Sequence, residues 1–261
     1  MTDTPRLAGL SAASRARRQT VALPLEVWHV DLAASGTALC LLEREEPRLS
    51  EEERRWSETG LDGCRRATRI ALRLLLERAL TTADALALRR TPLPREAGGR
   101  PRLPQGLRPV FSLSHCGSDA LVAISQDGPV GIDLEAPRRL MMPADRRRAI
   151  VAAASTLGPW PQHRSRIAAD DEAVLVAWTR LEAVGKAHGT GVAAVLAEHG
   201  VLARGAGHDA AAEQAPLAVD DLPLPRGLFA AIARAPHVAV PAIRRLPTEP
   251  DTLARLTDQP C

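Results

Sequence analysis

The chain has 261 residues, 45% of them hydrophobic, with 34 basic and 31 acidic side chains and a formal net charge of +3. That is enough apolar content and length for one large domain or two small ones with cores of their own, and it excludes a disordered chain. The basic residues are nearly all Arg, and the few aromatics (four Trp, two Phe, no Tyr) do not interleave with a basic face, so nucleic acid is not an expected partner.

In chain order, residues 1–24 form a basic leader that carries no long apolar run, and no later stretch approaches the length of a membrane span. Four scattered cysteines, Cys40, Cys64, Cys116 and Cys261, show neither a CxxC nor a zinc spacing, which fits a reduced, cytoplasmic chain. "VWHVDLA" (27–33) alternates as a strand does. "LSEEERRWS" (49–57) opens as a helix, with Ser50 as N-cap and Glu51 to Glu53 at the positive end of the dipole. "CRRATRIALRLLLERAL" (64–80) is an amphipathic helix with Ile70, Ala71, Leu74 and Leu75 on one side. "REAGGRPRLPQGLRP" (95–109) is loop. Three strands follow at 110–115, 120–125 and 129–135, the last two separated by a "QDG" hairpin signal.

A helix over 170–189 is closed by Gly189. Low-complexity sequence over 203–216 reads as a flexible insertion, and strands are expected at 227–233 and 237–243. The mixed order of elements points to an α+β fold, not to regular βαβ repeats.

Chemistry concentrates in three stretches. In "VGIDLE", Asp133 and Glu135 point to one side of a strand and Ile132 and Leu134 to the other. Two acids that close repel unless a cation accompanies them, and an all-oxygen set suits a hard ion such as Mg²⁺; a strand with one face in solvent explains them equally well. In "WTRLEAVGKA", Glu182 and Lys186 lie four apart on one helix face with Trp178. Lysine is rare in this chain, which suggests a compact point charge that the wide guanidinium fork cannot replace. In "FSLSHCG", Phe111 and Leu113 face one way, Ser112 and Ser114 the other, and His115 stands at the strand end. Cys116 reads as a small buried hydrophobe.

Taken together with "GGRPRL", these stretches resemble the 4′-phosphopantetheinyl transferase superfamily, in its larger, Sfp-like branch, over roughly residues 49 to 240. The resemblance implies two similar α/β halves related by a pseudo-twofold, 25–128 and 129–261, with coenzyme A in the cleft between them. It implies transfer of phosphopantetheine from coenzyme A to a serine of an acidic acyl or peptidyl carrier protein, with release of 3′,5′-ADP, by a chain that acts as a monomer. Asp133, Glu135 and Glu182 would hold Mg²⁺. Lys186 would contact the pyrophosphate, and Glu182 would take the serine proton directly or through water. Ser114 and His115 would meet coenzyme A phosphates, and Arg100 with Pro101 would line the adenine site.

The chain departs from the family at Leu181, where a Lys is usual, and at Cys64, which falls where an Arg for the 3′-phosphate is expected; Arg65 or Arg66 would serve instead. Arg138, Arg139 and Arg146 to Arg148 follow the metal strand, as a dock for an acidic partner or as a solvated helix face. The alternatives are a degenerate relative that binds coenzyme A or a carrier without catalysis, and a generic Mg²⁺-dependent phosphohydrolase.

Overall fold

The computed structural model describes residues 24–58, 63–96, 99–162, 164, 167, 170–203 and 215–257. The expected leader, apart from its last residue, and residues 204–214 of the expected insertion lie outside the described residues.

Strand β1 (Leu25–Asp31) runs straight into helix α1 (Leu32–Glu45), because Asp31 is the N-cap and accepts a hydrogen bond from the Ala34 amide at 3.0 Å. The strand expected over 27–33 therefore sits two residues early. Helix α1 was not expected: Gly36 and Thr37 dilute its helical pattern. Helix α2 (Glu51–Glu58) begins in a capping box, with the Glu53 amide donating to Ser50 Oγ (3.2 Å) and the Ser50 amide donating to Glu53 Oε2 (3.0 Å). Helix α3 (Gly63–Ala79) buries Ile70, Ala71, Leu74 and Leu75, and the short α4 (Thr82–Leu88) is capped by Thr81.

Next come β2 (Val110–Cys116), β3 (Asp119–Ser125), β4 (Val130–Glu135), α5 (Ala144–Ser155) and α6 (Asp171–His188). Helix α6 ends at Gly189, whose φ of +74° makes the left-handed cap that the sequence predicts. Helix α7 (Val192–Glu198), β5 (Ala218–Asp221), β6 (Phe229–Arg234), β7 (Ile243–Arg245) and α8 (Pro250–Ala254) complete the chain.

The strands form two sheets, ordered β2-β3-β1-β7 and β4-β6-β5. The "QDG" turn is thus not a hairpin. β3 pairs with β1 and β2, β4 pairs with β6, and the turn, with Gly128 at φ +91°, carries the chain from one sheet to the other. The strand expected at 237–243 is displaced to Ile243–Arg245, because Pro241 interrupts it and a prolyl nitrogen cannot donate to a ladder. β7 joins β1 in parallel, so the end of the chain returns to the first sheet, and Leu246 and Leu253 enter its core.

Helices and sheets are mixed as an α+β fold requires, in four layers. One core lies between α1, α3 and the first sheet, and another between the second sheet and α5, α6 and α7. The third lies between the two sheets, where Leu25, Val27, Leu121 and Ala123 meet Val130, Ile132, Leu134 and Ile232. Alternation along β4 therefore sends Ile132 and Leu134 into the inter-sheet core and Asp133 to the opposite side, toward α6.

Candidate active site

Two glycines let α6 come down on its neighbours. A Cβ added at Gly131 would lie 1.9 Å from Ala183 O and 2.5 Å from Ala187 N, so β4 and α6 touch almost backbone to backbone. A Cβ on Gly185 would lie 2.6 Å from the carbonyl carbon of Gly191, which seats the α6–α7 turn in the same close manner. With so little between helix and strand, side chains one turn apart on α6 reach the polar face of β4.

Lys186, the only lysine in the chain, donates from Nζ to Asp133 Oδ1 at 2.7 Å and to Ile132 O at 3.1 Å. Ser114 Oγ on β2 donates to the same Asp133 oxygen at 2.8 Å. The other carboxylate oxygen, Asp133 Oδ2, is buried without a hydrogen-bond partner. A buried carboxylate oxygen left so is costly, and a cation satisfies it. Glu182 stands beside this pair. Burial pushes its carboxyl above the ordinary range, Lys186 pulls it back, and the nearby Asp133 and Glu135 push it up again. Glu135, at the strand end, is turned to Arg138, with 3.2 Å between Oε1 and Nη2.

The donors are hard oxygens, one is orphaned and the acids repel, all of which fits a divalent cation such as Mg²⁺. Among the described residues no three His, Cys, Asp or Glu side chains stand together as a group that could hold a metal ion, and of the three acids expected to do so Glu135 is turned away to Arg138.

Glu182 and Lys186 line a cleft of about 230 Å³ whose other walls are Gly99, Arg100, Pro101, Phe111, Ser112, Leu113 and the glycines after α6. Arg100 donates from Nη2 to Phe111 O (2.7 Å) and Val130 O (3.1 Å), and from Nη1 to Lys186 O. Ser112 Oγ accepts from the Ile132 amide at 3.1 Å. Both serines of "FSLSH" thus face β4, as their alternation predicts, and Ser114 is spent on Asp133.

His115 points to the other side of β2. With Arg65, Thr68, Arg69 and Arg95 it lines a second pocket of about 300 Å³. Burial depresses the Arg69 pKa, and the charges of Arg95 and Arg73 add to that effect against Glu53, so cations are crowded here. The bridge between Arg95 and Pro101 ties this basic pocket to the cleft. The structure therefore gathers Asp133, Glu182, Lys186 and Ser114 in one place, with Arg100 and Pro101 on the cleft wall, and Arg65 with His115 in the adjoining pocket. Sequence reasoning missed Arg69 and Arg95. The four-residue step from Arg65 to Arg69 on an amphipathic helix was the available signal for the first, and the loop gave none for the second.

Leu181 is fully buried in the core of the second half, on a different side of α6 from Glu182. Among the arginines after β4, Arg147 turns inward to Asp171 (2.7 Å) and to the carbonyls of Met142 (3.2 Å) and Leu140. It does not belong to an exposed dock. Arg138, Arg139, Arg146 and Arg148 remain exposed, beside Met141, which is 92% exposed.

No family model matches the chain. Among curated proteins, the 4'-phosphopantetheinyl transferases AcpT of Salmonella typhi and of Salmonella typhimurium are each 35% identical to it over 134 residues, which is 49% of this chain and 61% of either relative. The match thus spans about 61% of the length of these relatives.

Proposed function

We propose that this chain is a 4′-phosphopantetheinyl transferase, like the relatives it resembles, and that it transfers phosphopantetheine from coenzyme A to a serine of an acyl or peptidyl carrier protein. The observation that carries the reading is the orphaned Asp133 Oδ2, held between Lys186 and Ser114 at the edge of a cleft that adjoins a basic pocket. In this reading the serine oxygen bonds to the phosphorus that bears pantetheine, the anhydride bond breaks, and 3′,5′-ADP leaves with the bonding electron pair.

Asp133 and Glu182 would hold Mg²⁺, joined by Glu135 once it leaves Arg138, and the ion would neutralise the charge that grows on the pyrophosphate. Lys186 commits two of its hydrogens to Asp133 and Ile132 O and gives the third to a phosphate oxygen. Glu182 accepts the serine proton, directly or through a water held at the metal. The 99–101 loop packs the adenine, and Arg65, Arg69, Arg95 and His115 surround the 3′-phosphate. The carrier, as an acidic partner, docks on Arg138, Arg139, Arg146 and Arg148 around Met141. The 25–128 and 129–261 segments, the second lending β7 to the first sheet and α8 to its core, act as two similar halves of a cytoplasmic monomer of the larger, Sfp-like branch, in the service of polyketide, nonribosomal peptide or fatty-acid assembly.

Incubation with coenzyme A, Mg²⁺ and an apo carrier, followed by intact-mass measurement of the carrier, tests this. A gain of one phosphopantetheine is expected. No gain on any carrier with coenzyme A binding retained would instead identify a binding protein without transferase activity, and loss of both would sink the reading.

A further inference from the structure

Sequence reasoning treated Arg100 as a ligand contact, but its side chain is engaged elsewhere. We propose that Arg100 is a positioning residue that fixes the width of the cleft and the place of Lys186, and that it does not bind a phosphate. The kinetic and ligand arms of its test rest on the coenzyme A reading above.

β2 and β4 lie side by side at the seam between the two sheets, yet each pairs its backbone only within its own sheet, with β3 and β6 respectively. Across this seam run the hydrogen bonds of Ser112, Ser114 and Arg100. Arg100 spans the most: its two terminal nitrogens reach Phe111 O on β2, Val130 O on β4 and Lys186 O on α6. That last carbonyl lies in the final turn of α6, where its other hydrogen bond is a long one from the Gly189 amide (3.3 Å) and a cation suits the dipole. A planar fork can donate to three carbonyls in three elements, and a flexible ammonium cannot reproduce that geometry. Arg100 thus holds by its backbone the very residue whose amine sits on Asp133. Without it β4 can part from β2, the end of α6 loosens, and Lys186 moves relative to Asp133. A misplacement of about 1 Å is enough to cost about 10²-fold in rate.

Arg100→Lys and Arg100→Met in the full chain separate a brace from an anion site. Three readouts apply: amide hydrogen exchange of the ligand-free protein, coenzyme A affinity against salt concentration, and kcat. A brace predicts that both variants exchange about tenfold faster at the start of β4 and the last turn of α6, with other segments unchanged. It also predicts that both lose about tenfold or more in kcat while coenzyme A binding keeps its wild-type salt dependence.

Wild-type exchange and kcat in Arg100→Lys, with Arg100→Met alone losing affinity and salt dependence, would overturn the proposal in favour of a ligand-binding charge. Global unfolding of both variants would overturn it in favour of a purely structural role, and if only Arg100→Met fails to fold, Arg100→Lys decides. Should wild-type protein not bind coenzyme A, the functional reading fails while the exchange data still decide the brace.

Discussion

Helix α3 rests on the first sheet through Ile70, Leu74 and Leu75, whereas α6 meets β4 with hardly a side chain between them. Branched side chains hold α3 away from its strands, and its polar residues Arg65 and Arg69 reach sideways to line a pocket. On α6 the contact runs through Gly131, Ala183 and Ala187, so Lys186 falls directly onto the acid of the strand and Glu182 stands near it. An i,i+4 pair of opposite charge on a helix surface is worth only about 0.2–0.5 kcal/mol. The close approach is what turns the same spacing into a buried, coupled site. One helix supplies volume, the other supplies register.

The sharpest way to break this comparison is a matched pair of substitutions. Gly131→Ala drives a methyl into the Ala183 carbonyl and should cost about 3 kcal/mol or more in a urea melt, with transfer activity lost even in the folded fraction. Leu74→Ala, at a core position of α3, should cost a comparable 2–5 kcal/mol or so but leave activity per folded molecule intact. Equal specific activities in the two variants would erase the distinction.

On the α3 side, Arg69→Gln should weaken coenzyme A binding about tenfold, as expected for one charge-assisted hydrogen bond, and leave 3′-dephospho-coenzyme A binding unchanged by calorimetry. A parallel loss for both ligands would place the 3′-phosphate elsewhere.

On the α6 side the prediction concerns pH. The folded Glu182 pKa lies above its unfolded value, chiefly through burial. Such an acid contributes stability below its unfolded pKa, and that contribution is lost as pH rises through the folded value. Urea melts across this window in magnesium-free buffer should therefore show wild type losing ground to Glu182→Gln as pH rises. A stability difference that stays flat with pH would contradict the crowding.

The smallest effect belongs to the surface. Arg146→Glu with Arg148→Glu, sparing the inward-turned Arg147, should raise the KM for the carrier about tenfold or less without touching coenzyme A affinity. An unchanged carrier KM would move the dock elsewhere.

How much of this was legible depended on whether the signal was local. The capping box at Ser50 and Glu53, the Gly189 cap and the opposite facing of Phe111 and Ser112 follow from a few neighbouring residues, and they stand as read. The same holds for the alternation that sends Asp133 and Ile132 to different cores. The sheet change at "QDG" was not legible, because turn chemistry does not say which sheet the next strand joins. The parallel addition of β7 to β1 depends on residues more than two hundred positions apart. In the site, residue types on one strand or helix were readable. What each faces was not: Ser114 meets Asp133, His115 meets α3, and Arg147 turns to Asp171. Gly131 looked like part of a motif, and only packing shows that it sets the distance to α6.

The central claim is that Asp133, held by Lys186 and Ser114 with one oxygen to spare, makes this cleft a metal-dependent transferase site. Transfer to an apo carrier, followed by intact mass over a magnesium titration in wild type and Asp133→Asn, tests it most directly. The account predicts magnesium-dependent modification by wild type, and none by Asp133→Asn at any magnesium concentration although that variant still folds. Wild-type rates in Asp133→Asn would contradict it.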